Sequence, residues 1–449
     1  MESRHRLLVH GARQVVQVVA NGQQVLKGAA MRQLAEVTAG PAGGVSIVVN
    51  SNGRIADIGL DSVVTSKYGG ATFDRTINAR GMCVLPGLVD GHTHPVWAGD
   101  RVHEFAMKLA GATYMEVHEA GGGINFTVRH TREASEEELY TSLCARLNTM
   151  IKSGTTLVEC KSGYGLNVET ELKMLRVIER ARRDMPIDIS ATFCGAHSVP
   201  EGATAAQATD DVIDVQLPAV GRLMDSGQLR VDNIDVFCER GVFDVAQTQR
   251  ILAAGAAVGL AANFHGEELS RLGSAEMGAT LGARAISHLE EVSDDGVAAM
   301  ARQGTIAVVL PTTAYVLGLR PPPVRAMIAA DVAVALGSDF NPNAHCVSMP
   351  LVMNLACVLL KMCMQEALAA ATINAAASLG RADTQGSLEV GKYGDLVLIE
   401  ADSWEHLIYQ MGGHENLIKY TVKEGVVIHE ARECVSSMNA GVVAETSWI

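Results

Sequence analysis

Eight short apolar runs, each followed by a polar or glycine-rich stretch, recur through the centre of the chain and constrain its fold more than any other feature. The first ends at Asp90, and the others are residues 156–160, 188–193, 233–238, 259–264, 285–287, 305–310 and 332–336. Helical patterns separate them, for example at residues 136–153, 168–183, 245–254 and 293–303. Eight parallel strands with intervening helices are typical of a (β/α)8 barrel. We therefore predict an α/β protein with a TIM-like barrel over residues 85–390.

The two ends of the chain share a different, β-rich texture. Short strand-like runs occupy residues 6–80, and Asn52-Gly53 between two of them predicts a hairpin. Similar runs recur between residues 391 and 430, whereas residues 431–449 show little pattern. We expect one small β-sandwich domain built from both chain termini, comprising residues 1–84 and 391–449.

Composition narrows the class of function. The net charge of −14 favours neither a nucleic-acid surface nor an anionic membrane surface. The nine cysteines are scattered without a C-x-x-C pair, which is typical of a reducing compartment. The N-terminus leads into no long apolar segment, and the apolar run at about residues 350–360 is too short to span a bilayer. We expect a cytoplasmic protein with no membrane span.

Polar residues at the ends of the predicted strands indicate a site, because barrel enzymes build their active sites at that face. Strand 1 is followed by His92 and His94, strand 5 ends at His265, and strand 8 is followed by Asp339. Three imidazoles and a carboxylate suit a catalytic zinc or iron ion and leave room for water. Such an ion lowers the pKa of bound water from about 16 to roughly 7. The sequence predicts one divalent metal ion, zinc or iron, held by these four residues.

Three residues are predicted to act in catalysis. Asp339 is expected to accept a proton from the water, and His288 at the end of strand 6 to orient the nucleophile or polarise a carbonyl. Glu268 is expected to move a proton to a leaving nitrogen, with Glu267 as its rival. Glu268 is preferred because a spacing of three from His265 returns to the same side of a starting helix.

Several longer motifs resemble one known family. They are Pro86-Gly-Leu-Val-Asp-Gly-His-Thr-His94, Trp97-Ala-Gly-Asp-Arg101, Gly121-Gly-Gly-Ile124, Lys161-Ser-Gly-Tyr-Gly-Leu166, Thr192-Phe-Cys-Gly-Ala-His197, Asp235-Val-Phe-Cys-Glu239, Phe264-His-Gly-Glu-Glu268 and Ser338-Asp-Phe-Asn-Pro342. The first resembles the metal-dependent amidohydrolase superfamily, and the set resembles its imidazolonepropionase family. The resemblance covers about residues 40–430.

The resemblance implies a substrate and a reaction. It implies that a homodimer opens the cyclic amide of 4-imidazolone-5-propanoate, giving N-formimidoyl-L-glutamate in histidine degradation. The same four metal ligands are implied. Contacts to this small-molecule substrate are implied for Arg101, Tyr164, His197, Glu268 and Asn341. Arg101 suits the propanoate because its planar fork bonds both carboxylate oxygens.

The chain departs from the family pattern after the predicted metal aspartate. Many members read Asn-Pro-Gly followed by Ser or Thr, whereas Asn341-Pro342 is followed here by Asn343 and Ala344. A hydroxyl contact at Ala344 is therefore lost. Two alternatives stay open: a deaminase on the same scaffold, which would share the metal ligands, and a non-catalytic protein that has kept the barrel.

Overall fold

The structure is a computed structural model that describes residues 4–40, 43–111 and 122–431. The described strands of the N-terminal part are β1 (Arg4–Ala12), β2 (Gln14–Val18), β3 (Ala35–Thr38), β4 (Val45–Asn50), β5 (Ile55–Leu60), β6 (Thr72–Asn78) and β7 (Met82–Pro86). The central strands are β8 (Leu88–Asp90), β9 (Thr155–Lys161), β10 (Asp188–Ala196), β11 (Asn233–Cys238), β12 (Ala261–Gly266), β13 (Ala285–His288), β14 (Ile306–Val309) and β15 (Val334–Leu336). The C-terminal strands are β16 (Leu396–Glu400), β17 (Ile418–Lys423) and β18 (Val426–Glu430).

The described helices lie mainly between the central strands. They are α1 (Asp61–Tyr68), α2 (Val102–Leu109), α3 (Ile124–Glu133), α4 (Glu136–Lys152), α5 (Val168–Asp184), α6 (Ala205–Asp211), α7 (Leu217–Asp225), α8 (Val245–Ala257), α9 (Ser274–Leu281), α10 (Asp294–Gln303), α11 (Pro311–Leu317), α12 (Val324–Ala329), α13 (Met349–Leu359), α14 (Met364–Ala370), α15 (Ile373–Ser378), α16 (His406–Tyr409) and α17 (His414–Leu417). The predicted helical patterns correspond to α4, α5, α8 and α10. In α4, Ser135 and Glu138 form a capping box, and Leu139, Leu143 and Leu147 repeat along the buried face.

The central strands form a parallel barrel in chain order, which confirms the predicted fold class. Each strand from β8 to β15 pairs with the next. The first and last strands then meet through a parallel bridge between Thr93 and Phe340. Two backbone hydrogen bonds strengthen this seam, from Asp339 N to His92 O at 3.0 Å and from His94 N to Phe340 O at 2.8 Å. Barrel closure therefore sets the residues after β8 beside those after β15.

Strands from both ends of the chain form the predicted small β-sandwich. One sheet has the order β5-β4-β1-β6, and the other has the order β18-β17-β16-β7-β2-β3. An apolar layer that includes Leu7, Ile47 and Leu398 is shared between them. The predicted hairpin joins β4 to β5, and Gly53 supplies its left-handed φ of 77°. The domain limits at residues 84/85 and 390/391 stay a prediction. Strand β7 extends past the first of these limits and ends at Pro86.

One local expectation was wrong. No helix starts directly after His265: residues 267–270 are bends, and α9 begins only at Ser274. Of the apolar run at about residues 350–360, all but the last residue lies in α13, which ends at Leu359, and Lys361 is left-handed at φ 60°. Across the described ranges, no helix combines the length and apolar character that a bilayer crossing requires. Gly121 of the glycine motif and residues 432–449 of the tail lie outside the described residues.

Candidate metal centre and substrate cavity

The four residues predicted to hold a metal ion lie together at the C-terminal end of the barrel. The Nε2 atoms of His92 and His94 are 3.3 Å apart, and those of His94 and His265 are 3.1 Å apart. Asp339 Oδ1 lies 3.6 Å from His92 Nε2 and 3.8 Å from His94 Nε2. The seam between β8 and β15 brings the aspartate to the two histidines, and β12 supplies the third histidine from across the barrel.

These separations fit a divalent cation. Ligand atoms placed tetrahedrally about 2.0–2.1 Å from a zinc ion lie roughly 3.4 Å from one another. Burial, followed by the nearby charge of Lys161, holds the pKa of His92 well below its usual value. Burial and the His197 ring do the same for His94, so both imidazoles are neutral and can offer a lone pair. His92, His94 and Asp339 are one of the described groups whose ligand atoms lie close enough together to share an ion.

In three of the four side chains, an atom that does not face the metal position contacts a neighbouring polar group. Ser287 Oγ lies 2.8 Å from His92 Nδ1, Asp235 Oδ1 lies 2.8 Å from His265 Nδ1, and the hydroxyl of Thr313 donates to Asp339 Oδ2. Sequence reasoning missed all three. Ser287 and Asp235 lie inside buried strands. A polar residue there does not reveal from the sequence that it contacts a metal ligand. Thr313 follows strand β14, so its position after a barrel strand was the available signal.

A cavity of about 180 Å³ opens beside the candidate metal centre and brings the other predicted site residues together. Those that line it are Arg101, Tyr164, His197, Glu268, His288 and Asn341. Its size suits a ligand of one ring and a short arm, since sites for drug-sized ligands have roughly 300 Å³ or more. The roles of these residues stay predictions, but their convergence on one cavity is a property of the structure.

Glu268 and His288 face each other in this cavity. Glu268 Oε2 lies 3.5 Å from His288 Nε2. Burial, reinforced by the charges of Glu290 and Asp339, raises the pKa of Glu268 well above its usual value. Burial also lowers the pKa of His288 well below its usual value. Both shifts favour the uncharged forms, a protonated carboxyl beside a neutral imidazole, which is an arrangement suited to proton donation.

The backbone after β13 is unusual and brings in a further carboxyl that sequence reasoning missed. His288 and Leu289 both have left-handed backbone, with φ of 78° and 71°. This conformation costs roughly 1–2 kcal/mol for each non-glycine residue. The turn that results places Glu290 Oε2 3.8 Å from His288 Nδ1. The strained backbone therefore lies where the buried His288 ring has a carboxyl near each nitrogen, Glu268 at Nε2 and Glu290 at Nδ1.

Glu267, the predicted rival of Glu268, has a structural position. Its backbone is left-handed, with φ of 55°, and it is not among the residues that line the cavity. The carboxylate accepts hydrogen bonds from the Leu272 amide at 3.0 Å and the Ser274 hydroxyl at 2.8 Å, at the start of α9. The helical argument that favoured Glu268 was therefore wrong, although Glu268 is the one that lines the cavity. Glu239, at the end of β11, accepts from the amide of Leu269 and holds the same loop.

Arg101 offers positive charge to the cavity. Its Nη2 lies 2.7 Å from Glu104 Oε2, and Glu104 is itself buried. The buried Nε of Arg101 has no hydrogen-bond partner among the described residues. A guanidinium has five N–H donors, and the described residues engage only part of this set, so Arg101 can also bind a carboxylate. Arg101 also lines a neighbouring cavity of about 580 Å³, which places it where the two spaces adjoin.

The remaining predicted contacts differ in what they can offer. The His197 ring stacks on the His94 ring at 4.5 Å, and burial lowers the pKa of His197 to about 3. Its Nδ1 lies 3.1 Å from the carbonyl of Gly163, so that nitrogen carries the proton and Nε2 accepts. Asn341 donates to Asp339 O at 2.7 Å and accepts from the Ala344 amide at 3.0 Å. Its amide therefore shapes the loop after Asp339, where the chain departs from the family pattern.

Comparisons with known proteins identify the class of protein. Residues 118–429 match the model of the amidohydrolase family. With this match over more than half of its length, the chain belongs to the amidohydrolase family, which implies a divalent metal ion at the His–Asp cluster.

Relatives then specify the group within that class. A Mus musculus protein named probable imidazolonepropionase is 61% identical over 96% of this chain and 100% of its own length. The Nematostella vectensis and Dictyostelium discoideum proteins of the same name are 60% and 54% identical, over 95% and 90% of this chain and 99% and 94% of their own. The chain is a member of the imidazolonepropionase family.

Solved structures agree on the fold. A zinc-bound adenosine deaminase of Xanthomonas campestris has a TM-score of 0.68 at 17% identity, over 95% of this chain and 93% of its own. A guanine deaminase of C. acetobutylicum has the same score and identity, over 94% and 99%. At this identity the likeness concerns architecture alone, and it confirms the barrel with its appended β domain.

Proposed function

We propose that this protein is an imidazolonepropionase, a metal-dependent hydrolase that opens the cyclic amide of 4-imidazolone-5-propanoate to N-formimidoyl-L-glutamate. The observation that carries the proposal is the identity of about 60% over nearly the whole chain with proteins of that name. The cavity supports it, because cationic, aromatic and carboxyl groups surround a space suited to a small ring with an acidic arm.

Substrate binding starts from Arg101 in this proposal. The guanidinium pairs with the propanoate carboxylate through donors that Glu104 does not occupy. The flat ring then lies against two residues of the cavity wall. These are Tyr164, which is buried and follows β9, and His197, which follows β10. Because His197 accepts at Nε2, it suits a ring N–H. Contacts to the propanoate arm and to the ring together fix the orientation of the substrate, so that the ring carbonyl faces the metal centre.

The chain's own residues account for the proton transfers. A divalent ion held by His92, His94, His265 and Asp339 would supply a water that is deprotonated near neutral pH. Asp339 accepts the one proton that the attacking water loses when the water oxygen bonds to the ring carbonyl carbon. Glu268 then donates a proton to the ring nitrogen as the C–N bond breaks. Neutral His288 lies 3.5 Å from Glu268 and orients it toward that nitrogen. The released nitrogen stays attached to the product through its formimidoyl carbon.

Product analysis tests this function. Incubation with 4-imidazolone-5-propanoate should lower the near-ultraviolet absorbance, release one acid equivalent per turnover and give N-formimidoyl-L-glutamate without ammonia. Stoichiometric ammonia from a purine or pyrimidine, with the imidazolone untouched, would replace the proposal with the deaminase alternative. We further infer one zinc or iron ion per chain, a homodimer and a cytoplasmic location, which elemental analysis, light scattering and fractionation address.

A further inference from the structure

A buried lysine lies behind the candidate metal centre. Lys161, at the end of β9, is 1% exposed. Its Nζ lies 2.7 Å from Glu159 Oε2 and 2.7 Å from Asp235 Oδ2. These are ion pairs at close range whose angles fall outside hydrogen-bond geometry. Asp235 Oδ1 lies 2.8 Å from His265 Nδ1, so charged contacts run from Lys161 through one carboxylate to a candidate ligand.

The same strand also holds the first two candidate ligands through its backbone. The Lys161 amide donates to Thr93 O at 3.2 Å. The Thr93 hydroxyl donates in turn to the carbonyl of Glu159. Thr93 lies between His92 and His94, so β9 fixes this segment by main-chain contacts that survive side-chain changes. Only the route through Asp235 depends on the Lys161 side chain.

Electrostatics explains why a cation is needed at this position. Asp235 is buried, with Oδ2 2.7 Å from Lys161 Nζ and Oδ1 2.8 Å from His265 Nδ1, so the ammonium offsets the cost of burying this carboxylate. The other carboxylate oxygen is then free to accept the Nδ1–H of His265. A histidine held in this tautomer presents the Nε2 lone pair toward the metal position. Without Lys161, the carboxylates of Glu159 and Asp235 would lie together in the interior with no neutralising charge.

We propose that Lys161 is a positioning residue of the metal centre, acting through Asp235 to fix the tautomer and orientation of His265. The inference rests on the proposed metal site and is independent of which substrate the enzyme takes. Its test therefore measures metal binding in the absence of substrate. A failure of imidazolone hydrolysis would leave the inference untouched, and weakened metal binding would say nothing about the substrate.

The main variant is the double substitution Glu159→Gln with Lys161→Met. It removes one positive and one negative charge, so the net charge of the cluster is unchanged. The Gln amide oxygen can still accept from Thr192 Oγ1, which lies 2.5 Å from Glu159 Oε1. Asp235→Asn is a second, isosteric variant. It removes the carboxylate charge that connects Lys161 to His265, and it tests the same positioning effect if the double variant does not fold.

The β-sandwich offers a matched control. Lys423 is 7% exposed, and its Nζ lies 3.1 Å from Asp395 Oδ2 and 2.9 Å from Asp188 Oδ2. Lys423→Met therefore removes a buried ammonium from between two carboxylates without touching a candidate ligand. Any loss of metal affinity that follows merely from a less stable protein should also be seen in this variant.

Metal affinity is measured by competition with a chromophoric chelator for Zn²⁺, and coordination by the visible spectrum of the Co²⁺-loaded protein. The double variant and Asp235→Asn should weaken Zn²⁺ binding by about 10-fold to 100-fold and shift the cobalt bands. Lys423→Met should bind zinc as the unaltered protein does, with an unchanged cobalt spectrum. Unaltered zinc affinity in the first two variants, or equal losses in all three, would overturn the proposal.

Discussion

Glu267 and Glu268 are neighbours in the chain, but their carboxylates serve different parts of the molecule. Glu267 accepts hydrogen bonds at the start of α9, whereas Glu268 Oε2 lies 3.5 Å from His288 Nε2 in the cavity. Glu267 has a left-handed backbone at this point, with φ of 55°. The pair therefore offers adjacent positions at which a structural and a chemical role can be told apart.

Glu268→Gln should abolish proton donation while the metal centre stays loaded. We expect kcat to fall by about 100-fold or more, the magnitude usual for a general acid. Melting temperature and metal content should change little. A variant with near-normal kcat would assign the proton to another group, with His288 the first candidate.

Glu267→Gln should show the opposite pattern. Losing the carboxylate that holds Leu272 and Ser274 should cost about 1–3 kcal/mol of unfolding free energy. Per folded molecule, kcat should stay close to normal. Denaturant titration and steady-state kinetics on the same preparation measure both quantities, and a large fall in kcat at unchanged stability would contradict this assignment.

His265→Ala should empty the metal centre. One of three imidazole ligands is lost, so the purified variant should carry far less than the one equivalent of zinc or iron expected of a single site. Elemental analysis is the direct measurement. His429→Ala, on β18 of the β-sandwich, is the control and should keep its metal. Full metal and full activity in His265→Ala would show that the ligand set is different.

Arg101→Met should weaken substrate capture more than it alters the fold. Losing the partner of the propanoate should reduce kcat/KM by the equivalent of about 2–5 kcal/mol if the pair is buried. The melting temperature should hardly change. An imidazolone without the propanoate arm should be hydrolysed equally well by both proteins. Equal kcat/KM values on the natural substrate would assign the carboxylate to another residue.

Glu290 should make stability depend on pH. Burial first, then the charge of Asp339, raises its pKa to about 8. Between about pH 4.5 and 8 the folded metal-free protein keeps a proton that the unfolded chain releases, so stability falls as pH rises. Glu290→Gln has no carboxyl to titrate at this position. As pH rises, its free energy of unfolding should therefore increase relative to that of the unaltered protein, by up to about 1.4 kcal/mol per pH unit. Chemical denaturation across this range measures the difference, with Glu201→Gln at an exposed position as the control substitution.

The sequence predicts what depends on local pattern. Apolar runs with polar ends located the barrel strands, and residues at those ends located His92, His265 and Asp339. It does not predict Asp235, because an acidic residue inside a buried strand looks the same whether it supports a ligand or a neighbouring strand. Glu290 was missed for another reason: its approach to His288 depends on two left-handed residues that no periodicity indicates.

The seam that closes the barrel joins distant parts of the chain. Ser338 N donates to Asp90 Oδ1 at 2.9 Å across 248 positions of sequence. During synthesis on a ribosome, His92 and His94 therefore emerge long before Asp339, and a nascent chain presents only part of the chelating set. The four candidate ligands therefore come together only once β15 has been synthesised and has closed the barrel against β8.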